Sequence, residues 1–76
     1  MDDILDLIEA YLDDINVRDY EVNYATDDEL KISANLDERY HRDLAEYIYD
    51  NFPDVSEAFV VEPNGGPWEA EIEVRA

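Results

Sequence analysis

The chain has no cysteine, one histidine, one lysine and two glycines among its 76 residues. Without cysteine there is no disulfide, no thiolate nucleophile and no thiol-ligated metal. A Ser-His-Asp relay could be built only around His41, and only Ser33 and Ser56 could serve as its serine. His41 is flanked by Arg39 and Arg42 on a charged segment, where a boundary histidine is expected rather than a catalytic one. No stretch approaches the roughly 18 consecutive apolar residues of a membrane span. Met1-Asp2-Asp3 is acidic where a secretory signal would be basic. A cytoplasmic protein with no membrane association is therefore expected, in the host cytoplasm if a phage encodes it.

What the chain does have is acid. Aspartate and glutamate number 22 against 5 basic residues, for a net charge of -17. A folded protein of this size exposes roughly 4,800 Å², or about one net charge per ~280 Å². A B-DNA cylinder of about 10 Å radius carries about one per ~100 Å². The surface is thus within a factor of about three of DNA in charge density. Such a surface repels nucleic acid and anionic lipid, and its natural partner is cationic. With 46% hydrophobic residues, the chain is also too apolar to be a disordered acidic tail.

The hydrophobic pattern divides into six elements. Residues 2–15 are expected as an amphipathic helix, with Ile4, Ile8, Tyr11, Leu12 and Ile15 on one face and Asp2, Asp6, Glu9 and Asp13 opposite. Residues 19–26 and 30–36 alternate as strands around a Thr26-Asp27-Asp28-Glu29 turn, with Tyr20, Val22 and Tyr24 inward and Glu21 and Asn23 outward. A second helix is expected over 37–52, its core face Tyr40, Leu44, Tyr47 and Ile48, ended by Pro53. Its i, i+4 spacings (Glu38, Arg42 and Glu46; Arg39 and Asp43) predict internal ion pairing. Strands over 56–62 and 68–75 flank a Pro63–Pro67 turn containing Asn64-Gly65. The last strand alternates Trp68, Ala70, Ile72 and Val74 with Glu69, Glu71, Glu73 and Arg75.

The fold class is therefore α+β, of order αββαββ. A four-stranded antiparallel sheet with two helices packed on one face would bury both apolar stripes. A single domain is expected over 1–76, with a possible αββ repeat of 1–36 and 37–76. In that superposition Leu7 lies on Leu44, Glu9 on Glu46 and Asp13 on Asp50. The open sheet face should carry Glu21, Glu69, Glu71 and Glu73 among small polar groups.

Catalysis is not expected. Close carboxylate pairs arise by chance among so many acids, and a short chain leaves little room for a pocket beside its core. Asp27-Asp28-Glu29 lacks the ligand spacing and central glycine of a calcium loop, and Gly65-Gly66 has no phosphate-loop lysine. No cofactor and no dedicated metal site are expected.

Two explanations of the acid remain. In the first, carboxylates copy the phosphate array that a basic nucleic-acid-binding protein or complex recognises. The candidate partner-binding residues are Asp2, Asp6, Glu9 and Asp13 on the first helix, Glu21, Glu69, Glu71 and Glu73 on the sheet, and Tyr49 on the second helix. The helix stripe advances about 5–6 Å per step, and alternate strand residues about 6.6–7 Å, comparable in scale to neighbouring phosphates. In size, charge and build the chain resembles the small acidic inhibitors of phages and mobile elements. These include uracil-DNA glycosylase inhibitor, restriction inhibitors and anti-CRISPR proteins. The resemblance implies a DNA mimic that inhibits by protein–protein contact; it lies in character rather than in any motif. In the second explanation the acid is halophilic adaptation of a small cytosolic domain or interaction module. One lysine (Lys31) against four arginines resembles proteins of organisms living in molar salt. Neither explanation fixes the oligomeric state, monomer or dimer.

Overall fold

A computed structural model describes residues 1–76. Helix α1 (Asp2–Asp14) begins with Asp2 and Asp3 in its first turn, where the helix dipole favours negative charge. It ends in a left-handed Asn16 (φ 62°). The Asn16 and Val17 amides donate back to the carbonyls of Asp13 and Leu12, at 3.0 and 2.8 Å. This closes the helix, and residues 15–19 connect it to the next strand. Ile4, Ile8 and Leu12 recur at four-residue spacing and are its buried stripe.

Strands β1 (Tyr20–Ala25) and β2 (Glu29–Ala34) form the expected hairpin. The Thr26 hydroxyl accepts from the amides of Asp28 and Glu29, at 3.2 and 3.0 Å, and holds the turn. The second helical segment is divided. Asp37 caps a 3-10 turn at Glu38–Tyr40 by accepting the Arg39 amide at 3.0 Å, and α2 (His41–Asn51) follows. Strands β3 (Glu57–Val61) and β4 (Ala70–Arg75) complete the chain. The expected Pro63–Pro67 turn is part of a longer connection over 62–69, with Gly65 and Gly66 both at positive φ (96° and 85°). Trp68 and Glu69 precede β4 rather than belonging to it.

The four strands pair antiparallel in the order β1-β2-β4-β3. Each hairpin thus contributes one central and one edge strand. Leu30, Ile32, Ala34, Ala58, Ala70, Ile72 and Val74 form one sheet face, and Ile4, Ile8 and Leu12 of α1 with Leu44 and Ile48 of α2 cover it. The αββαββ order and the one-sided helical layer are as the pattern of apolar residues implies. The accessible surface is 4745 Å². No helix is long and apolar enough to cross a membrane.

One feature of β1 departs from simple alternation. The register slips between Val22 and Tyr24, leaving Asn23 as an extra residue. An inserted residue reverses the faces of everything beyond it. Tyr24 therefore pairs with Lys31 on the open face instead of following Tyr20 and Val22 inward, and it is 40% exposed. Asn23 turns its amide onto the Ser33 hydroxyl at 2.8 Å. Ser33 lies on the open face, yet it is the one buried polar residue.

Candidate functional site

No carboxylate is buried. Glu9, Glu71 and Glu73 are half-buried and the other acids are exposed. The surface nevertheless divides by how much of its acid is countered by base.

On α1, Asp2, Asp3 and Asp6 are exposed and have no basic partner. The expected stripe is otherwise partly engaged. Glu9 accepts the Tyr20 hydroxyl at 2.6 Å, and Arg18 reaches Asp13 at 3.4 Å across an exposed gap. That hydroxyl–carboxylate bond, reinforced by burial and the negative charge nearby, raises the Tyr20 pKa from 10.0. Glu9 therefore joins α1 to β1, and its carboxylate is not free.

On α2 the expected ion pairs form only in part. Arg42 reaches forward to Glu46 at 3.0 Å, whereas Arg39 lies 3.9 Å from Asp37 and leaves Asp43 alone. Arg39 is instead turned toward the start of the segment, its guanidinium 4.8 Å from the centre of the Tyr40 ring and near Asp37. Glu38 likewise has no ion pair. Asp43, Glu46 and Asp50 line one side of a groove between the helices, and Ala10 and Asp14 line the other. Its floor is Tyr11 and Tyr47, with ring centroids 5.8 Å apart. The groove holds about 400 Å³ and opens to solvent. Burial and the charge of Asp43 raise the Tyr11 pKa above 10.0. Asp14, Asp43 and Asp50, which the stripe on α1 alone did not single out, have no basic partner. Tyr47, expected in the core, is 42% exposed along this groove.

The open sheet face differs. Glu71 and Glu73 lie on it, with Glu21 on the edge strand, but the cross-strand register also places Lys31 and Arg75 there. Lys31 approaches Glu71 at 3.9 Å, and Arg75 lies 4.0 Å from Glu29 and 3.6 Å from Glu57. The face is not lined by small polar groups: Tyr24, Phe59 and Val61 also occupy it. Glu69 stands apart, exposed in the 62–69 connection, where it borders a depression with Trp68, Asp37, Glu38, Glu62 and His41. The half-buried His41 donates Nε2–H to the Leu36 carbonyl at 2.8 Å.

Tyr49 has an internal partner. Its hydroxyl accepts the Ala58 amide at 2.8 Å, tying α2 to the outer side of β3. The ring remains 40% exposed, but its polar end is not directed to a partner. No three His, Asp or Glu side chains converge on a point suited to a metal ion. Compared with known protein families, curated proteins and solved structures, the chain matches none.

Proposed function

We propose that the protein is a non-catalytic acidic binding protein that mimics nucleic acid. In this reading it enters the cationic groove of a nucleic-acid-binding protein and so excludes the proper ligand. The observation that carries this reading is the helical layer. Asp14, Asp43 and Asp50 stand exposed and without basic partners on two adjacent helices, with Tyr11 and Tyr47 between them, and Asp6 stands likewise unpaired elsewhere on α1. Along α2, Asp43, Glu46 and Asp50 advance by about 5–6 Å per step, on the scale of successive phosphates. Side chains held on packed helices lose little further freedom on binding, which lowers the cost of matching an array of Arg and Lys. The tyrosines offer ring faces to an inserted guanidinium or ammonium. The helical layer leads and the β4 glutamates follow, because Lys31 and Arg75 offset the latter. Inhibition of host restriction, base-excision or CRISPR machinery would be the natural use of such a surface.

The test is retention of host proteins on the immobilised chain at low and high salt. Binding should fall steeply as salt rises, because both surfaces release counterions. Asp6, Asp14, Asp43 and Asp50 changed together to Lys should abolish it. Glu9 and Asp13 are poor choices for charge reversal, since one holds Tyr20 and the other contacts Arg18. Retention of no nucleic-acid-handling protein, or full retention by the quadruple variant, would sink the proposal.

A second reading has its own support. Acid occurs on the helices, the sheet face and every connection, and lysine occurs once. That all-round distribution is what adaptation to molar salt requires, and it favours a halophilic domain whose charge is unrelated to its task. Circular dichroism and denaturant unfolding in dilute buffer separate the two. A mimic remains folded there, whereas a halophilic chain unfolds through self-repulsion.

A further inference from the structure

We infer that the open sheet face is a self-association surface, on which a second copy of the chain stacks about a two-fold axis running parallel to the strands. This inference stands on the cross-strand register and does not depend on the proposed function, whose leading surface is the opposite face.

Across β1, β2, β4 and β3, one row on the open face is Tyr24, Lys31, Glu73 and Phe59. The next is Glu21, Ser33, Glu71 and Val61, and on the other side Glu29, Arg75 and Glu57 occupy the last three strands. A two-fold axis lying over the β2–β4 seam reverses strand order while keeping each row in place. It sets Lys31 of one copy over Glu73 of the other, and Arg75 over Glu29. Tyr24 then meets Phe59 and Glu21 meets Val61, whereas Ser33, buried and bonded to Asn23, leaves Glu71 without a partner across the seam. No like charges face one another in these rows, and the aromatic residues meet at both margins. Each base of the face thus meets a carboxylate across the seam and the apolar margins meet each other, while Glu21, Glu57 and Glu71 find no base and add to the repulsion between copies. The helical layer, with its unpaired aspartates, has no such property. Aligned sheets pack about 10 Å apart with strands within about 30°, a separation that side chains of these sizes fill.

The monomer leaves the bases of this face available. Lys31 and Arg75 lie 3.6 to 4.0 Å from their carboxylate neighbours, longer than a well-formed charged hydrogen bond. The contact is small. Four strands of five or six residues cover a projected area of about 19 by 19 Å, less than the roughly 800 Å² of accessible surface that a standard interface buries on each partner. Each copy also carries a charge of -17. The dimer is therefore weak and opposed by long-range repulsion, which salt screens more strongly than the close contacts at the seam. Association strengthens with salt, the reverse of the salt response expected for a cationic partner.

Sedimentation equilibrium at protein concentrations from roughly 10 µM to 1 mM, in about 0.05 M and about 1 M NaCl, tests this. The mass should rise from 8.9 kDa toward twice that value at high salt only. Lys31→Glu should weaken association by roughly tenfold or more, and Lys31→Glu with Glu73→Lys should restore it by exchanging the partners. Tyr24→Ser gives a second handle that leaves the charges alone and removes a ring outside the core; it too should weaken the dimer. Circular dichroism of each variant verifies the fold. A wild-type chain that stays monomeric at the highest salt and concentration would overturn the inference. So would higher aggregates without a dimer, or a folded Lys31→Glu chain that associates as wild type does.

Discussion

The two broad faces of the molecule carry acid in different ways. On the helical face Asp6, Asp14, Asp43 and Asp50 stand without base, and the sole ion pair on α2 is Arg42 with Glu46. On the sheet face Glu71 and Glu73 are half-buried, and Lys31 and Arg75 stand among the acids. Net charge alone hides this difference. An array of unpaired carboxylates has lost nothing to internal partners and is attracted to any cationic surface. The sheet face is still acidic, with five carboxylates to two bases, but its bases sit at fixed positions among them, and such a mixed array selects a surface of matching pattern.

The strongest way to break the contrast is to change Asp6, Asp14, Asp43 and Asp50 together to Lys. Salt-sensitive retention of basic proteins should vanish, while Glu71→Gln with Glu73→Gln should retain most of it; paired pull-downs measure both. The contrast also requires one rigid support. Ile8→Ala, at a fully buried position of α1, should cost about 2–5 kcal/mol. Urea unfolding should remain a single transition, with helix and sheet signals lost together. A smaller effect is expected from Tyr49→Phe, which leaves the Ala58 amide without its side-chain acceptor. A loss of about 1 kcal/mol is expected in the same urea measurement.

The smallest effect should come from alkaline pH, and it sharpens the junction between the faces. Tyr20, held by Glu9, has a pKa raised above 10.0, as does Tyr11 under burial and the charge of Asp43. A raised folded-state value means that the native chain holds the proton more tightly than the unfolded chain. The resulting stability is fully present below pH 10.0 and is lost as pH rises through the higher native values. Tyr20→Phe should flatten that decline in thermal melts taken across the alkaline range, without removing the part due to Tyr11.

Much of the architecture was legible because burial leaves a period in the sequence. Ile4, Ile8 and Leu12 mark a helix stripe, and Ala70, Ile72 and Val74 mark a strand, whichever neighbours they meet. The site was legible only in part. The extra residue in β1 leaves no compositional trace beyond an ordinary asparagine, yet it sends Tyr24 to the other face. The expected Arg39–Asp43 pair does not form because Arg39 lies over the Tyr40 ring and near Asp37 instead. The inter-helical groove was missed because Ala10 and Asp14 meet Asp43, Glu46 and Asp50 only once two helices distant in sequence are set side by side. A residue's face can be inferred from its own element, but its neighbour cannot. Tyr49 shows the same limit: its exposed position on α2 was predictable, but its bond to Ala58 was not.

That bond has a further consequence, for the fate of the chain when crowded. Ala58-Phe59-Val60-Val61 is the longest wholly apolar run in any strand, and it lies at the sheet margin where another chain could add on. Tyr49 occupies the outward amide at its start, and Glu57 and Glu62 bracket it with like charge in every copy. Covering an edge amide and flanking it with charge are two recognised guards against fibril-like pairing. Part of the acidity thus keeps the fold from templating its own precipitation, whatever else it binds.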